Sequence, residues 1–404
     1  MTPANRRRRA AVVAHAAYPA DPRVHRQVDS LIGAGHEVDV FCLREAGEAA
    51  EEDDGAVRIL RLPVRRRYAG FAGHLAEYAA FTAVAGVRLS REHRRRRYGL
   101  VQVATLPDFL VVAAAALKVS GVPLLLDLHE DMPAFFDDRF ASPWLRPLRP
   151  VISGVARASA AMADHLITVH EPLRQLSIAR GVALDKITVV MNSPDERLFD
   201  PTSVARRRFM EDGQLRLVHV SSLQRIYGLE VAIEAMRQVQ DLPVRLEVYG
   251  EGPYRPEIEA AIVASAAADR VTLHGRVAQA QLPAILADAD AALVPSLPEP
   301  YLEFSLSTKL LEAVAMGVPV IASDLSTFRG HFTAAAVRYV PAGDAAALAA
   351  AIRELAADPE AATARAVEAR HQAEPYAWQI QAARYLEVVK RLMDRAREGE
   401  VRSR

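Results

Sequence analysis

The feature that most constrains this chain is an alternation. Short, nearly unbroken apolar runs are separated by longer stretches of helical period across almost all 404 residues. "AAVVAHA" (10–16) is followed by the helical "PRVHRQVDSLIGAG" and then by "EVDVFCL" (37–43). "VRILRL", "LVQVAT", "PLLLDLH" (123–129), "HLITVH" and "ITVVMN" (187–192) continue this first series. A second series opens with "LRLVHVSS" (215–222) and runs through "VRLEVYG", "RVTLHG", "AALVPS" and "PVIAS". Strands apolar on both sides are covered on both faces, and intervening helices are the crossovers that parallel pairing needs. The pattern therefore predicts an α/β chain of two Rossmann-like, doubly wound parallel-sheet domains. They are expected at 1–198 and 199–374, with the linker within "PDERLFDPTSVARRR" (194–208), where Pro, charge and small polar residues mix. Doubly wound domains bind ligands beyond the carboxyl ends of their strands, so two facing domains predict a cleft between them.

Strand-to-helix turns are then the places to look. "SLSTKLLEAVAMGVPVIAS" (305–323) reads as a helix opening on Ser307 and Thr308, then a turn and a buried strand. Lys309 falls in the first helical turn, where the macrodipole disfavours a cation, and Glu312 follows on the same face. A bland surface ion pair is one reading. The other is a diphosphate site made by free N–H groups, two hydroxyls and an ammonium, with Glu312 placed to accept hydrogen bonds from vicinal hydroxyls such as those of a ribose. "HVSSLQRIYGLEVAIEAM" (219–236) is a second such turn, carrying Ser222 and Arg225. In "VYGEGPYRPEIEA" (248–260), Gly250 and Gly252 make a tight turn; tolerance of positive φ explains them before close ligand approach does.

The first series ends one strand in "LLLDLHEDMPAFF" (124–136), with Asp127, His129 and Glu130 at the sheet edge. A His with acids beside it can orient or deprotonate a hydroxyl, or merely cap the strand. "AAYPADPRVHRQ" (16–27) brings Asp21, Arg23 and Arg26 to the same edge without a Gly-rich phosphate fingerprint, which directs a nucleotide to the second domain. "DAD" (288–290) reads as a helix end and a strand start, and no His/Asp/Glu spacing suggests a metal.

Charge is balanced at 50 basic and 50 acidic residues, which argues against nucleic acid as a partner. Residues 1–100 nevertheless carry 18 Lys and Arg against 12 Asp and Glu. With the aromatics of "RRRYAGFAGHLAEYAAF" (65–81), this surplus suggests contact with an anionic leaflet, a solvated Arg-rich surface being the plainer reading. Cys42 is the one cysteine, so no disulfide framework exists and a reducing cytoplasm suits the chain. The longest apolar run, Phe109 to Leu117, is too short to span a bilayer, and no signal-type segment opens the chain. A cytoplasmic protein, peripheral at most at the inner face of the cell membrane, is expected.

Taken in order, "YPADPRV", "LVQVATLPDFLV", "LLLDLHEDMP", "ITVVMNSPDERLF", "YGLEVAIEA", "VYGEGPYRPEIE", "VTLHGRV" and "STKLLEAVAMGVPVIAS" resemble family 4 of the GT-B glycosyltransferases, enzymes that retain anomeric configuration. The likeness is strongest to enzymes of bacterial exopolysaccharide and surface-glycan assembly. It implies a UDP- or GDP-sugar as co-substrate, no cofactor or metal, and a glycan, lipid-linked or small-molecule acceptor. It maps the ribose ligand onto Glu312, places Ser307, Thr308 and Lys309 by the diphosphate, and puts the acceptor-side His on His129, near Asp21, Arg23 and Glu130. Gly250, Gly252, Ser222 and Arg225 would complete the donor site, with catalysis resting on His129, Arg225 and Lys309. "YAWQIQAARYLEVV" (376–389) is similar to a last helix, expected at 375–396, that crosses back onto the first domain. Three positions depart from the family pattern. Phe304 stands where the first of two paired Glu residues is usual, with Glu303 beside it, and Ser222 and Tyr227 replace a usual Arg and Lys. The departures leave room for a nucleotide-sugar 2-epimerase or a catalytically weakened partner protein.

Overall fold

The computed structural model describes residues 9–402, apart from 65, 67–69, 141–142, 266, 300, 301, 303 and 305; at 138–139 and 397–402 it describes the backbone alone. The chain divides into two compact units, Met1–Asn192 with Gln379–Arg404, and Ser193–Trp378.

The first unit holds eight strands: β1 (Arg9–Ala17), β2 (Glu37–Leu43), β3 (Glu51–Asp53), β4 (Val57–Leu62), β5 (Leu100–Ala104), β6 (Leu124–Leu128), β7 (His165–Thr168) and β8 (Ile187–Val189). Its helices are α1 (Pro22–Gly33), α2 (Gly70–Arg96), α3 (Ala115–Val119), α4 (Met132–Arg139), α5 (Arg149–Met162) and α6 (Glu171–Ala179). The sheet order is β3-β4-β2-β1-β5-β6-β7-β8. All pairs are parallel except β3 with β4. β3 is "EED", exposed throughout, and its charge hides it from any reading of apolar runs; it caps the sheet edge. The central strands are buried end to end, as both-face coverage demands: all five residues of β5 and all five of β6. Between β1 and β5 the strand order reverses, so the turns after those strands flank a switch point.

The second unit has β9 (Leu215–Val220), β10 (Val244–Tyr249), β11 (Val271–Gly275), β12 (Ala291–Val294), β13 (Val320–Ser323) and β14 (Arg338–Val340). Helices α7 (Leu229–Gln238), α8 (Arg255–Ala264), α9 (Leu282–Asp288), α10 (Thr308–Ala315), α11 (Ser326–Arg329), α12 (Ala345–Ala357) and α13 (Pro359–Ala373) lie between and after them. The order β11-β10-β9-β12-β13-β14 is wholly parallel and has the doubly wound 3-2-1-4-5-6 form. Its reversal falls between β9 and β12, so the turns after β9 and β12 frame this unit's ligand position.

The last helix, α14 (Trp378–Arg402), belongs to the first unit from Gln379 onward. It buries Tyr385, Val388, Val389, Leu392 and Met393. The Gln381 side chain accepts the Met191 N–H at 3.0 Å, which ties the helix to the end of the first unit's chain. Asp290 is a structural group, as its place before β12 suggests: buried, it accepts from Arg207 at 2.9 Å and from the N–H groups of Met210 and Arg216.

Candidate active site

In the second unit, the site is built on the switch point. Ser307 is the N-cap of α10 by backbone geometry, yet its side chain makes no cap hydrogen bond. Its hydroxyl oxygen is buried and has no partner among the described residues. The first N–H groups of an α-helix have no intrahelical acceptor, so this helix start presents several donors and an idle hydroxyl together. Lys309 follows in the first turn, with its ammonium 3.8 Å from the centre of the Tyr227 ring. Tyr227 belongs to the turn after β9, so a cation–π contact joins the two turns and offsets the unfavourable dipole. Lys309 and Glu312 line a small hollow with Val218, Val220, Leu293 and Val294, the carboxyl ends of β9 and β12. Both side chains are thus at the reversal of strand order, half-buried.

Beneath them, His219 is locked. Its ring nitrogens lie 2.9 Å from the Leu293 carbonyl and 2.8 Å from the Ser221 hydroxyl. Burial, helped by the Lys309 charge, lowers its pKa to about 4. It is therefore a neutral strut at pH 7: Nδ1–H donates to Leu293 and Nε2 accepts from Ser221.

The glycines have a packing role. Gly250 has φ +155°, and a Cβ there would lie 1.7 Å from the Ser221 carbonyl oxygen; one at Gly252 would lie 2.2 Å from that of Leu223. Gly228, at φ +66°, would bring a Cβ within 1.9 Å of the Pro295 oxygen. These positions let the turns after β9, β10 and β12 touch backbone to backbone. Arg225 is more than half exposed and pairs with Glu299, and exposed Ser222 accepts from Gln224 at 3.3 Å. Glu303, the alternative to the missing Glu at Phe304, lies outside the described residues.

In the first unit, Asp21 caps α1 and binds Arg23 at 3.0 Å (backbone), 3.0 Å (Nε) and 2.7 Å (Nη2). Burial alone would raise its pKa, but the Arg23 hydrogen bonds and charge overcome this and hold it at about 2. His129 is buried, its ring 2.8 Å from an Asp127 carboxylate oxygen and its backbone N–H donating to Thr105 at 3.2 Å. Glu130 follows it, half-buried. Asp131 caps α4 and pairs with Arg180. Asp108, after β5, is fully enclosed with an oxygen that has no partner among the described residues; burial, then the nearby Asp131 charge, pushes its pKa up to about 7. Sequence reasoning missed Asp108 and His219 and singled out Tyr227 only as a departure from the family pattern, because their meaning lies in neighbours from other strands. Among the described residues, no group of three or more His, Cys, Asp or Glu could hold a metal ion, and no helix is long and apolar enough to cross a membrane.

Residues 214–358 match the family described as glycosyl transferases group 1, and residues 20–193 the glycosyl transferase 4-like domain. WcaL of Salmonella typhimurium, assigned as a glycosyltransferase of colanic acid biosynthesis, is 30% identical over 364 residues, 82% of this chain and 86% of its own. This chain belongs to the family 4 glycosyltransferases. Solved structures share its GT-B fold. Sucrose-phosphate synthase from Thermosynechococcus elongatus superposes with TM-score 0.78 at 21% identity, covering 96% of this glycosyltransferase and all (100%) of that chain. HepE from Anabaena, solved with UDP-glucose, gives 0.69 at 17% identity over 95% and 99% of the two chains.

Proposed function

We propose that this glycosyltransferase moves a sugar, with retention of anomeric configuration, from a UDP- or GDP-sugar held by the second unit to a hydroxyl of a glycan or lipid-linked acceptor held by the first. The observation that carries the reading is the start of α10. The first N–H groups of α10, which have no intrahelical acceptor, the Ser307 hydroxyl, buried and without a partner among the described residues, the Lys309 ammonium and the Glu312 carboxylate meet at the switch point of a 3-2-1-4-5-6 sheet. HepE was solved with UDP-glucose, which favours uridine as the base.

The chemistry follows from the leaving group. As the sugar–phosphate bond breaks, negative charge grows on the diphosphate. Lys309 and the helix N–H groups are fixed in advance to meet it. Thr308 adds a hydroxyl. Arg225 can join by exchanging Glu299 for phosphate. Glu312 takes the ribose hydroxyls and sets the register of the nucleotide. Ser222, Gly250 and Gly252 shape the turns around it. The acceptor hydroxyl approaches from the same face as the leaving diphosphate, whose oxygen takes the proton, while His129, Asp21, Arg23 and Glu130 form the acceptor side. The reaction draws on no metal. The single cysteine suits a cytoplasmic enzyme, and the basic surplus of residues 1–100 supports contact with an anionic membrane face; Arg6, Arg7, Arg8, Arg65 and Arg67 of that surplus lie outside the described residues.

The test is a thermal-shift screen against UDP-, GDP- and ADP-sugars. A true donor at 100-fold over its Kd stabilises the protein by about 2.7 kcal/mol. Glu312→Gln should weaken nucleoside diphosphate binding about tenfold, the scale of a charge-assisted hydrogen bond. Equal affinity of both forms removes Glu312 from the ribose.

A further inference from the structure

Four buried side chains of the first unit form one hydrogen-bonded line that ends on His129. The Tyr385 hydroxyl donates to Gln102 Oε1 at 2.5 Å. Gln102 Nε2 donates to Gln27 Oε1 at 2.6 Å, and Gln27 Nε2 to Asp127 Oδ2 at 2.8 Å. His129 Nε2 lies 2.8 Å from that same Oδ2. The five residues range from 0% to 8% exposed. They come from α14, β5, α1, β6 and the turn after β6, so no stretch of sequence displays them together.

The direction of the line is dictated by its far end. A carboxylate only accepts, so Gln27 turns its NH2 to Asp127 and its carbonyl to Gln102. Gln102 then turns its carbonyl to Tyr385, which donates. The oxygen that takes the Gln27 proton also takes the Nε2–H of His129. A neutral imidazole protonated at Nε2 has a bare lone pair at Nδ1. That Nδ1 is buried and has no partner among the described residues. A buried acceptor left without a donor is costly, and on a ring whose other nitrogen is fixed by Asp127 it marks a place kept for a ligand donor.

We infer that Tyr385, Gln102, Gln27 and Asp127 are positioning residues that fix the His129 tautomer and present Nδ1 as the acceptor for a hydroxyl of the bound sugar substrate. The identity of that ligand rests on the glycosyl-transfer reading above; the tautomer does not. His129 then receives a hydrogen from a hydroxyl and gives none to a phosphate. The last helix of the chain thereby reaches the site through its single buried tyrosine.

The experiment is nitrogen NMR on full-length protein with 15N-labelled histidine rings, at pH 8 and without ligand. The expected spectrum shows His129 protonated at Nε2 and bare at Nδ1. In Tyr385→Phe and Gln102→Leu, the ring should show mixed tautomers. With the donor chosen by the thermal-shift screen, kcat should fall about tenfold, the scale for losing a group that orients a histidine, with KM for the donor within twofold of the parent. A ring protonated at Nδ1 overturns the proposal. So do variants that lose thermal stability yet keep tautomer and kcat, since the line then only braces α14. Failure to transfer any sugar, with the tautomer as stated, overturns the assignment of the ligand while the relay stands.

Discussion

Lys309 breaks a local rule and is compensated by a residue far away in sequence. A cation in the first turn of a helix opposes the dipole, by a few tenths to 1 kcal/mol. The Tyr227 ring beneath its ammonium, 3.8 Å away, supplies attraction without neutralising it. A carboxylate partner would have cancelled the charge that a diphosphate needs. Replacing Lys309 with Ala should therefore cost on the order of 2–4 kcal/mol in kcat/KM, the scale of one preorganised oxyanion donor. Unchanged turnover would take Lys309 out of the mechanism. The position of Tyr227, usual for a Lys in the family, is thus filled by a residue that holds a Lys from another helix.

Asp108 is the other residue-scale case. Its pKa is about 7 in the folded protein against an ordinary value of 3.8, because burial disfavours the charged form. A raised folded pKa means that the native state binds the proton more tightly. Its stabilising contribution is complete below pH 3.8 and is lost as pH rises through 7, a swing of order 4 kcal/mol. Asp108→Asn should leave stability at pH 4 nearly unchanged and raise it at pH 8. Urea midpoints at the two pH values check this; a variant equally destabilised at both would show that the carboxyl is a hydrogen-bonding strut instead.

At the scale of elements, the turns after β9, β10 and β12 depend on backbone contact, and glycine is there for space as much as for φ. The sequence shows a G-x-G turn but not what presses on it. Gly250→Ala would put a Cβ 1.7 Å from a carbonyl oxygen that cannot swing aside as a side chain can. The expected cost is roughly 2–3 kcal/mol, at the upper end of overpacking. Denaturant titration should show it, with a parallel loss of nucleotide affinity as the β9 turn moves. Strand β3 marks the opposite limit. Its three acidic residues carry no apolar signal, and only pairing with β4 makes them a strand.

At the scale of the whole molecule, α14 is an integral part of the first unit. Five side chains, Tyr385, Val388, Val389, Leu392 and Met393, are buried there. At about 1.5–3 kcal/mol each, their burial is worth on the order of 10 kcal/mol, as much as the net stability of a typical domain. A chain ending at residue 378 should therefore fail to fold its first unit, while the second unit keeps its cooperative transition. Circular dichroism melts with and without nucleoside diphosphate read this out; a first unit that melts normally would refute it.

Much of this protein was legible in its residues. Alternating buried strands and helices specify two parallel sheets, because a strand without a polar face must be covered twice. The Ser307–Glu312 stretch is likewise a local signal, since a helix start carries its own dipole, free donors and side-chain spacing. The order of strands, the Tyr227 ring under Lys309, the enclosure of Asp108 and the Tyr385-to-His129 line were decided by tertiary structure alone. Each depends on which distant segments become neighbours. Burial then sets the result, because a low-dielectric surrounding turns an ordinary Gln, Tyr or Asp into a fixed donor, a fixed acceptor or a displaced pKa.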